Sequence, residues 1–249
     1  MSEPEQARRK SRAPGNRAGA PGQAPEERLA ALGARALRYV RPGRTVGLGT
    51  GHAASAFIRA LGAAKIPVQA IATSRASEEL ARQVGVAIAG PEALARLDLD
   101  VDGADEVDRR LNLIKGYGGA MVREKIVAAA ARRVLILVGE EKLVARLGRG
   151  GKLPVEVLPF ALPHALAEMR RLGLKPQVRR REEGGEFLSD NGNLVVDCGI
   201  GPLSRPARLE RQLGAIAGVV GTGLFLGIAD TVLVATRAGA IRVLGRGRR

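Results

Sequence analysis

From Glu26 onward the chain alternates between two kinds of segment, and that alternation limits its possible folds more than any other feature. EERLAALGARALRYV spaces its apolar residues as a helix does, and TVGLGTG is a short strand that runs into glycines. HAASAFIRALGAA, PVQAIAT, SEELARQVG, LDLDVDGAD, GAMVREKIVAAAARR and VLILVG continue as helix, strand, helix, strand, helix and strand. A strand as uniformly apolar as VLILVG is covered on both faces, as in a parallel sheet flanked by helices. The alternation therefore predicts an α/β fold.

The character changes near Leu153. PVEVLPF (strand), PHALAEMRRLG (helix), KPQVRRR and NLVVDCG (strands), RPARLERQLGAI (helix) and GVVGTGLF (strand) follow. This β-α-β-β-α-β order is that of a ferredoxin-like unit. IADTVLVAT then supplies one more apolar strand, returning to the first sheet. The expected domains are residues 26–152 plus 226–249 for the larger unit and 153–225 for the inserted smaller one. Residues 1–25, rich in Pro, Gly, Ala and charge, read as a disordered extension.

Aromatic residues make up only 2% of the 249, so the core must rest on Ala, Val, Leu and Ile. No run approaches the roughly 20 apolar residues of a bilayer span, and the first residues lack the apolar centre of a secretory signal. A single cysteine, Cys198, cannot form an internal disulfide and reads as a small buried hydrophobe. These features predict a cytoplasmic protein with no membrane partner. The net charge of +15 is spread over scattered arginines, including Arg8 to Lys10, Arg179 to Arg181 and Arg246 to Arg249. Without stacking aromatics or a recognised binding signature, it predicts a solvated basic surface, not a nucleic-acid partner.

Three stretches fall beyond carboxyl ends of the predicted strands, where open parallel sheets hold ligands. Gly49-Thr50-Gly51-His52 precedes a helix, so its backbone N–H groups can face a phosphate. It lacks the third glycine of a dinucleotide fingerprint. Ser74 and Ser77 sit at a second strand-to-helix junction, where hydroxyls cap a helix or bind phosphate. The third stretch, LDLDVDGADEVDRRLNLIKGYGGAMVREK, joins Asp102 and Asp105 to Lys115, Gly116, Gly118, Gly119 and Glu124. Like charges so closely spaced repel, and their joint appearance with a lysine and a glycine loop points to a site. Asp98, Asp100 and Asp108 read as solvated, and Glu106 is left open.

VDGADEVDRRLNLIKGYGGAMVREKIVAAAA closely resembles the DGADE and IKGGGGA-REK signatures of the ribose-5-phosphate isomerase A family. VGLGTGHAASAFI, LPVEVLPFA, SDNGNLVVDC and GVVGTGLF extend the resemblance in order from Glu27 to Thr236. It implies a Rossmann-like domain with a smaller ferredoxin-like one, assembled as homodimer or homotetramer. It implies an aldose–ketose isomerase of the non-oxidative pentose phosphate pathway that uses no metal or cofactor. Ribose 5-phosphate and ribulose 5-phosphate would interconvert through an enediolate. By the same resemblance Glu124 is the base, Lys115 stabilises developing charge, and Asp102 and Asp105 serve the sugar oxygens. Lys142 matches a further active-site lysine.

Several positions depart from the family pattern. His52 and Ala53 replace two hydroxyl residues, Tyr117 replaces a loop glycine, and Arg75 stands where Asp is common. Gly139 and Glu141 replace the Asp and Ser that accompany Lys142, and Arg28 is out of register with a first-helix base. The changes fall on substrate-positioning loops. A sugar-phosphate sensor without turnover is the main alternative, but the intact acid–base set argues against it. An isomerase of another aldose phosphate and an amino-sugar phosphate deaminase are weakened by the specific motif match.

Overall fold

The computed structural model describes residues 24–245. Apart from Ala24 and Pro25, the expected extension lies outside them, as do Arg8 to Lys10 and Arg246 to Arg249. The main sheet has seven strands. In spatial order they are β3 (Ala87–Ile88), β2 (Gln69–Ala72), β1 (Thr45–Leu48), β4 (Leu99–Gly103), β7 (Val134–Gly139), β13 (Thr231–Ala235) and β14 (Ile241–Gly245). All neighbours run parallel except the β13–β14 hairpin at the edge. The direction of crossover reverses at β1, so the loops after β1 and β4 part and leave a crevice at their carboxyl ends.

Alternation within the strands builds a core on each side of this sheet. Leu135 and Leu137 join Val46, Leu48 and Val101 beneath α1 (Pro25–Ala36), α2 (His52–Ala64) and α3 (Arg75–Gln83). Ile136 and Val138 face the other way, toward Met121 and Ala128 of α4 (Met121–Ala130). Ser74 caps α3 by accepting the Ser77 amide, and Pro25 opens α1 where its missing N–H costs nothing.

The second sheet is antiparallel, in the order β11 (Val219–Thr222), β8 (Lys152–Val157), β10 (Leu194–Gly199) and β9 (Lys175–Val178). With α5 (Leu162–Arg171) and α6 (Pro206–Gly214) it has the ferredoxin-like 4-1-3-2 arrangement. Cys198 is buried here against Met169, and burial pushes its thiol up to about 12.

Several features were not anticipated, among them the two-residue strand β3. β14 was missed because Ile-Arg-Val-Leu is an edge strand with half its side chains in solvent. GVVGTGLF is two strands, not one: after β11 the chain enters a third sheet of β5 (Glu106–Val107), β6 (Leu113–Ile114) and β12 (Leu224–Phe225). Gly223 makes the switch, donating to Pro154 O and accepting from Lys115 N, and a Cβ there would lie 2.3 Å from Lys115 O. The third sheet thus delivers Lys115 between the two larger sheets.

Glu106, left open above, is buried in the third sheet, where it accepts the amides of Gly148 and Gly150. Glu106→Ala strips both amides of their acceptor. The expected cost is about 1–3 kcal/mol for each amide left dry, read from the midpoint of urea unfolding. A midpoint like that of the wild type would show that Glu106 does not hold this loop.

Candidate active site

β4 presents Asp100 and Asp102 on the face opposite Leu99 and Val101, toward α4 and the third sheet. Lys115, just beyond β6, extends its ammonium into the same space. Its Nζ lies 2.9 Å from Asp102 Oδ2 and 3.5 Å from Glu124 Oε2, and donates to Gly103 O at 2.5 Å. The Asp102 contact is an ion pair that falls short of a directed hydrogen bond. Lys115 and Glu124 are each only 4% exposed, and Asp102 1%. Burial pulls the lysine's pKa down, but Asp102 and Glu124 more than offset it, so the ammonium binds its proton more tightly than a free lysine.

Asp102 is itself fixed from behind. Its Oδ1 accepts the amides of Thr50 at 3.1 Å and Gly103 at 2.6 Å. A Cβ on Gly49 would come within 2.0 Å of that oxygen, so only glycine fits where β1 ends. Hydroxyls anchor the same loop: Thr50 Oγ1 donates to Ser74 Oγ at 2.8 Å, and Ser77 Oγ donates to Gly49 O at 2.6 Å. Thr73, in the same strand-to-helix stretch, adds a third hydroxyl 2.8 Å from Thr50 Oγ1.

These elements wall a cleft of about 440 Å³. Thr50, Gly51, His52, Asp105, Lys115, Gly116, Gly118, Glu124 and Lys142 border it, from five separate parts of the chain. Asp102, Gly49, Gly119, Ser74 and Ser77 do not; they stand behind the wall and support it. Glu124 Oε2 is buried and accepts no hydrogen bond. Burial pushes its carboxyl up to about 8; Lys115 opposes the rise, while Asp102, Asp105 and Asp100 add to it. Burial also raises Asp105, against the pull of the Tyr117 amide, which donates to Asp105 Oδ2 at 3.0 Å. Desolvation is thus the main cause of both shifts, and crowding by other acids adds only to that of Glu124.

Asp100 corrects the sequence reading. It is wholly buried, both its oxygens lack a partner, and burial together with Asp102 raises its pKa well above the usual carboxylate range. Its carboxyl therefore holds its proton to higher pH than an exposed aspartate does. Asp98 is half-buried beside Arg44 and Arg132, and Asp108 is spent on amides of its own turn.

At the other end of the cleft, α2 begins at His52 after Gly51 with no side-chain cap, so its first amides face the opening. Lys142 lies nearby, and Arg28 brings a buried guanidinium whose Nε and Nη1 have no hydrogen-bond acceptor. Its nearest acid is Glu141 at 3.8 Å, on the cleft wall. Tyr117 does more than interrupt a glycine loop: its hydroxyl donates to Lys152 O at 3.3 Å, and its ring sits 4.3 Å below Lys152 Nζ. Arg179, read from sequence as part of a scattered basic surface, donates to the carbonyls of Gly116 and Tyr117 at 3.1 and 3.0 Å. Asp197 holds it in place through two hydrogen bonds. Behind the cleft, Asp190 accepts the first amide of α3 at 2.8 Å, while Arg123 of α4 donates to Asn191 Oδ1 and Asp190 O.

Comparison with known proteins agrees on one family. The model of ribose 5-phosphate isomerase A (phosphoriboisomerase A) matches residues 69–239. The ribose-5-phosphate isomerase A of Thermomicrobium roseum is 45% identical over 222 residues, covering 86% of this chain and 93% of its own. That of a Roseiflexus species is 42% identical, covering 84% and 91%. Among solved structures, a D-ribose-5-phosphate isomerase in complex with phospho-erythronic acid superposes with a TM-score of 0.84 at 35% identity, over 89% of this chain and 99% of the other. The enzyme from Methanocaldococcus jannaschii gives 0.84 at 34% identity, over 89% and 100%.

The raised pKa of Asp100 has a measurable signature. Unfolded, it ionises near the ordinary 3.8; folded, it holds its proton more tightly, so stability falls as pH rises above that value. Asp100→Asn carries no such proton. Relative to this variant, the wild type should lose stability as pH rises above about 3.8, at up to about 1.4 kcal/mol per pH unit, measured by urea unfolding. A difference that stays constant with pH would show that the fold does not raise the pKa of Asp100.

Proposed function

The chain belongs to the ribose 5-phosphate isomerase A family and isomerises pentose phosphates, and we propose that Glu124 is the base that moves the proton between C2 and C1. One observation carries this assignment. Glu124 Oε2 is buried on the cleft wall without a hydrogen-bond donor, 3.5 Å from the Lys115 ammonium. A carboxylate so placed has no donor to shed before it meets a carbon-bound proton.

With the sugar open-chain, ionised Glu124 takes the proton from C2 and the aldehyde oxygen gains the negative charge of an enediolate. Lys115 faces that charge, and because its own counter-ion Asp102 is rigidly held, little reorganisation is needed. Transfer of the O2 proton to O1 and return of the carbon proton from Glu124 to C1 complete the ketose. Asp105 borders the cleft with a raised pKa and can pass protons between the sugar oxygens, both here and in opening the furanose ring. Asp102 does not border the cleft, so its part is to orient Lys115.

The phosphate belongs at the start of α2, where free amides and Lys142 border the cleft and Arg28 pairs with Glu141 of its wall. One relative was solved with phospho-erythronic acid. The carboxylate of such a compound carries its charge on two oxygens of one plane, as an enediolate does, and this cleft should accept it beside Lys115. The same reading extends to a cytoplasmic homodimer or homotetramer, supported by the exposed apolar side chains of Leu158, Phe160 and Val220. Among the described residues no helix is long and apolar enough to cross a membrane.

Glu124→Gln should lower kcat for ribulose 5-phosphate formation about 10²- to 10⁴-fold with KM little changed. Full activity in this variant would remove Glu124 from the role of base. Because the base works only when ionised and burial holds it neutral up to about 8, kcat/KM should climb with pH and level off above that value. A profile flat from pH 6 to 9 would contradict the assignment. Turnover should persist in a chelator, since Lys115 supplies the cation.

A further inference from the structure

Away from the cleft, the turn between β5 and β6 and the start of α6 face each other across a cavity of about 1360 Å³. Arg109 and Arg110 enter it from the turn, and Arg205, Arg208 and Arg211 from the helix, with Ser204 between them. Among the described residues no carboxylate borders the cavity and none of the five arginines forms an ion pair. The nearby acids are committed elsewhere. Asp108 accepts the amides of Arg110 and Asn112, and Glu210 of α6 accepts from Lys125 at 2.8 Å and from Thr222. A smaller cavity of about 980 Å³ shares Ser204, Arg205 and Arg208 and adds Lys175.

The backbone of the turn that carries Arg109 and Arg110 is held in place. Leu111 is buried in the left-handed region at φ 59°, where few side chains other than glycine sit, and Asn112 Oδ1 accepts the Gly227 amide at 3.0 Å. α6 begins without a side-chain cap and with no acid in its first turn, so its positive end adds to the field. Five guanidinium groups facing one space without a counter-ion repel one another, and an anion bound among them removes that cost. Guanidinium forks match phosphate oxygens two at a time. The cavity wall carries no aromatic side chain on which bases could stack, which favours a compact phosphate chain over nucleic acid.

We propose that this cavity binds a polyphosphate group, either as an inorganic chain or as the tail of a nucleoside triphosphate. The site is separate from the isomerase cleft and shares no lining residue with it. Calorimetric titration of the full-length protein with tripolyphosphate at about 0.15 M salt tests it. Binding in the micromolar range is expected for the wild type, weakened about tenfold or more in Arg205→Ser/Arg208→Ser. The exposed pair Arg38→Ser/Arg59→Ser removes the same charge elsewhere and should bind as the wild type does. Both double variants should keep wild-type isomerase turnover, which shows that they are folded. Equal affinity for tripolyphosphate and ATP would assign the phosphate chain alone as ligand, and tighter binding of ATP would assign a nucleoside triphosphate. Equal weakening in the two double variants would overturn the site in favour of the overall charge. Absent binding at millimolar tripolyphosphate would also overturn it, as would a single-stranded oligonucleotide that binds more tightly and displaces it.

Discussion

An ammonium sealed from water must be matched by negative charge, and the architecture around the cleft follows from meeting that demand for Lys115. Its main partner, Asp102, is fixed by two backbone amides; those amides set the path of the loops after β1 and β4; and that path demands glycine at position 49. Hydroxyls of Thr73, Ser74 and Ser77 hold the loop from beneath. The second partner, Glu124, lies farther away and keeps an oxygen without a donor. A tight pair for position and a loose one for reactivity is how a single lysine can serve two carboxylates with different work.

The surplus of acids is resolved by protons rather than by cations. Full ionisation of Asp100, Asp102 and Glu124 around one lysine would leave net negative charge in a dry interior, so the pKa of Asp100 is raised and that of Glu124 is pushed up to about 8. Lys142 borders the same cleft, and Arg28 pairs with Glu141 of its wall at 3.8 Å.

Much of this could be read from the residues themselves. The order of helices and strands follows from apolar spacing because both sheets are built from segments long enough to show a period. The third sheet escaped because two-residue strands have no period, although it places Lys115. Asp100 was read as solvated because Leu-Asp-Leu-Asp-Val-Asp alternates like a strand with one wet face; β4 lies mid-sheet with helices on both sides, so neither face is wet. Arg179 lay hidden among neighbouring arginines, since only its fold-dependent approach to Gly116 and Tyr117 distinguishes it. The grouping of Asp105, Lys115 and Glu124 was legible because short loops confine them to one rim.

The hydrogen bonds that Asp190 and Asn191 accept give the smaller unit a structural duty. In the sequence it looks like an appendage spliced into a finished domain. In the fold its loop grips the first residue of α3 and Arg123, the immediate neighbour of Glu124, while Arg179 grips the glycine loop from the opposite side. The inserted unit is thus the back half of a vice whose front jaw is the parallel sheet. A shortened chain that kept every residue of the main sheet but lost this insertion would retain Glu124 and Lys115, yet hold neither steady.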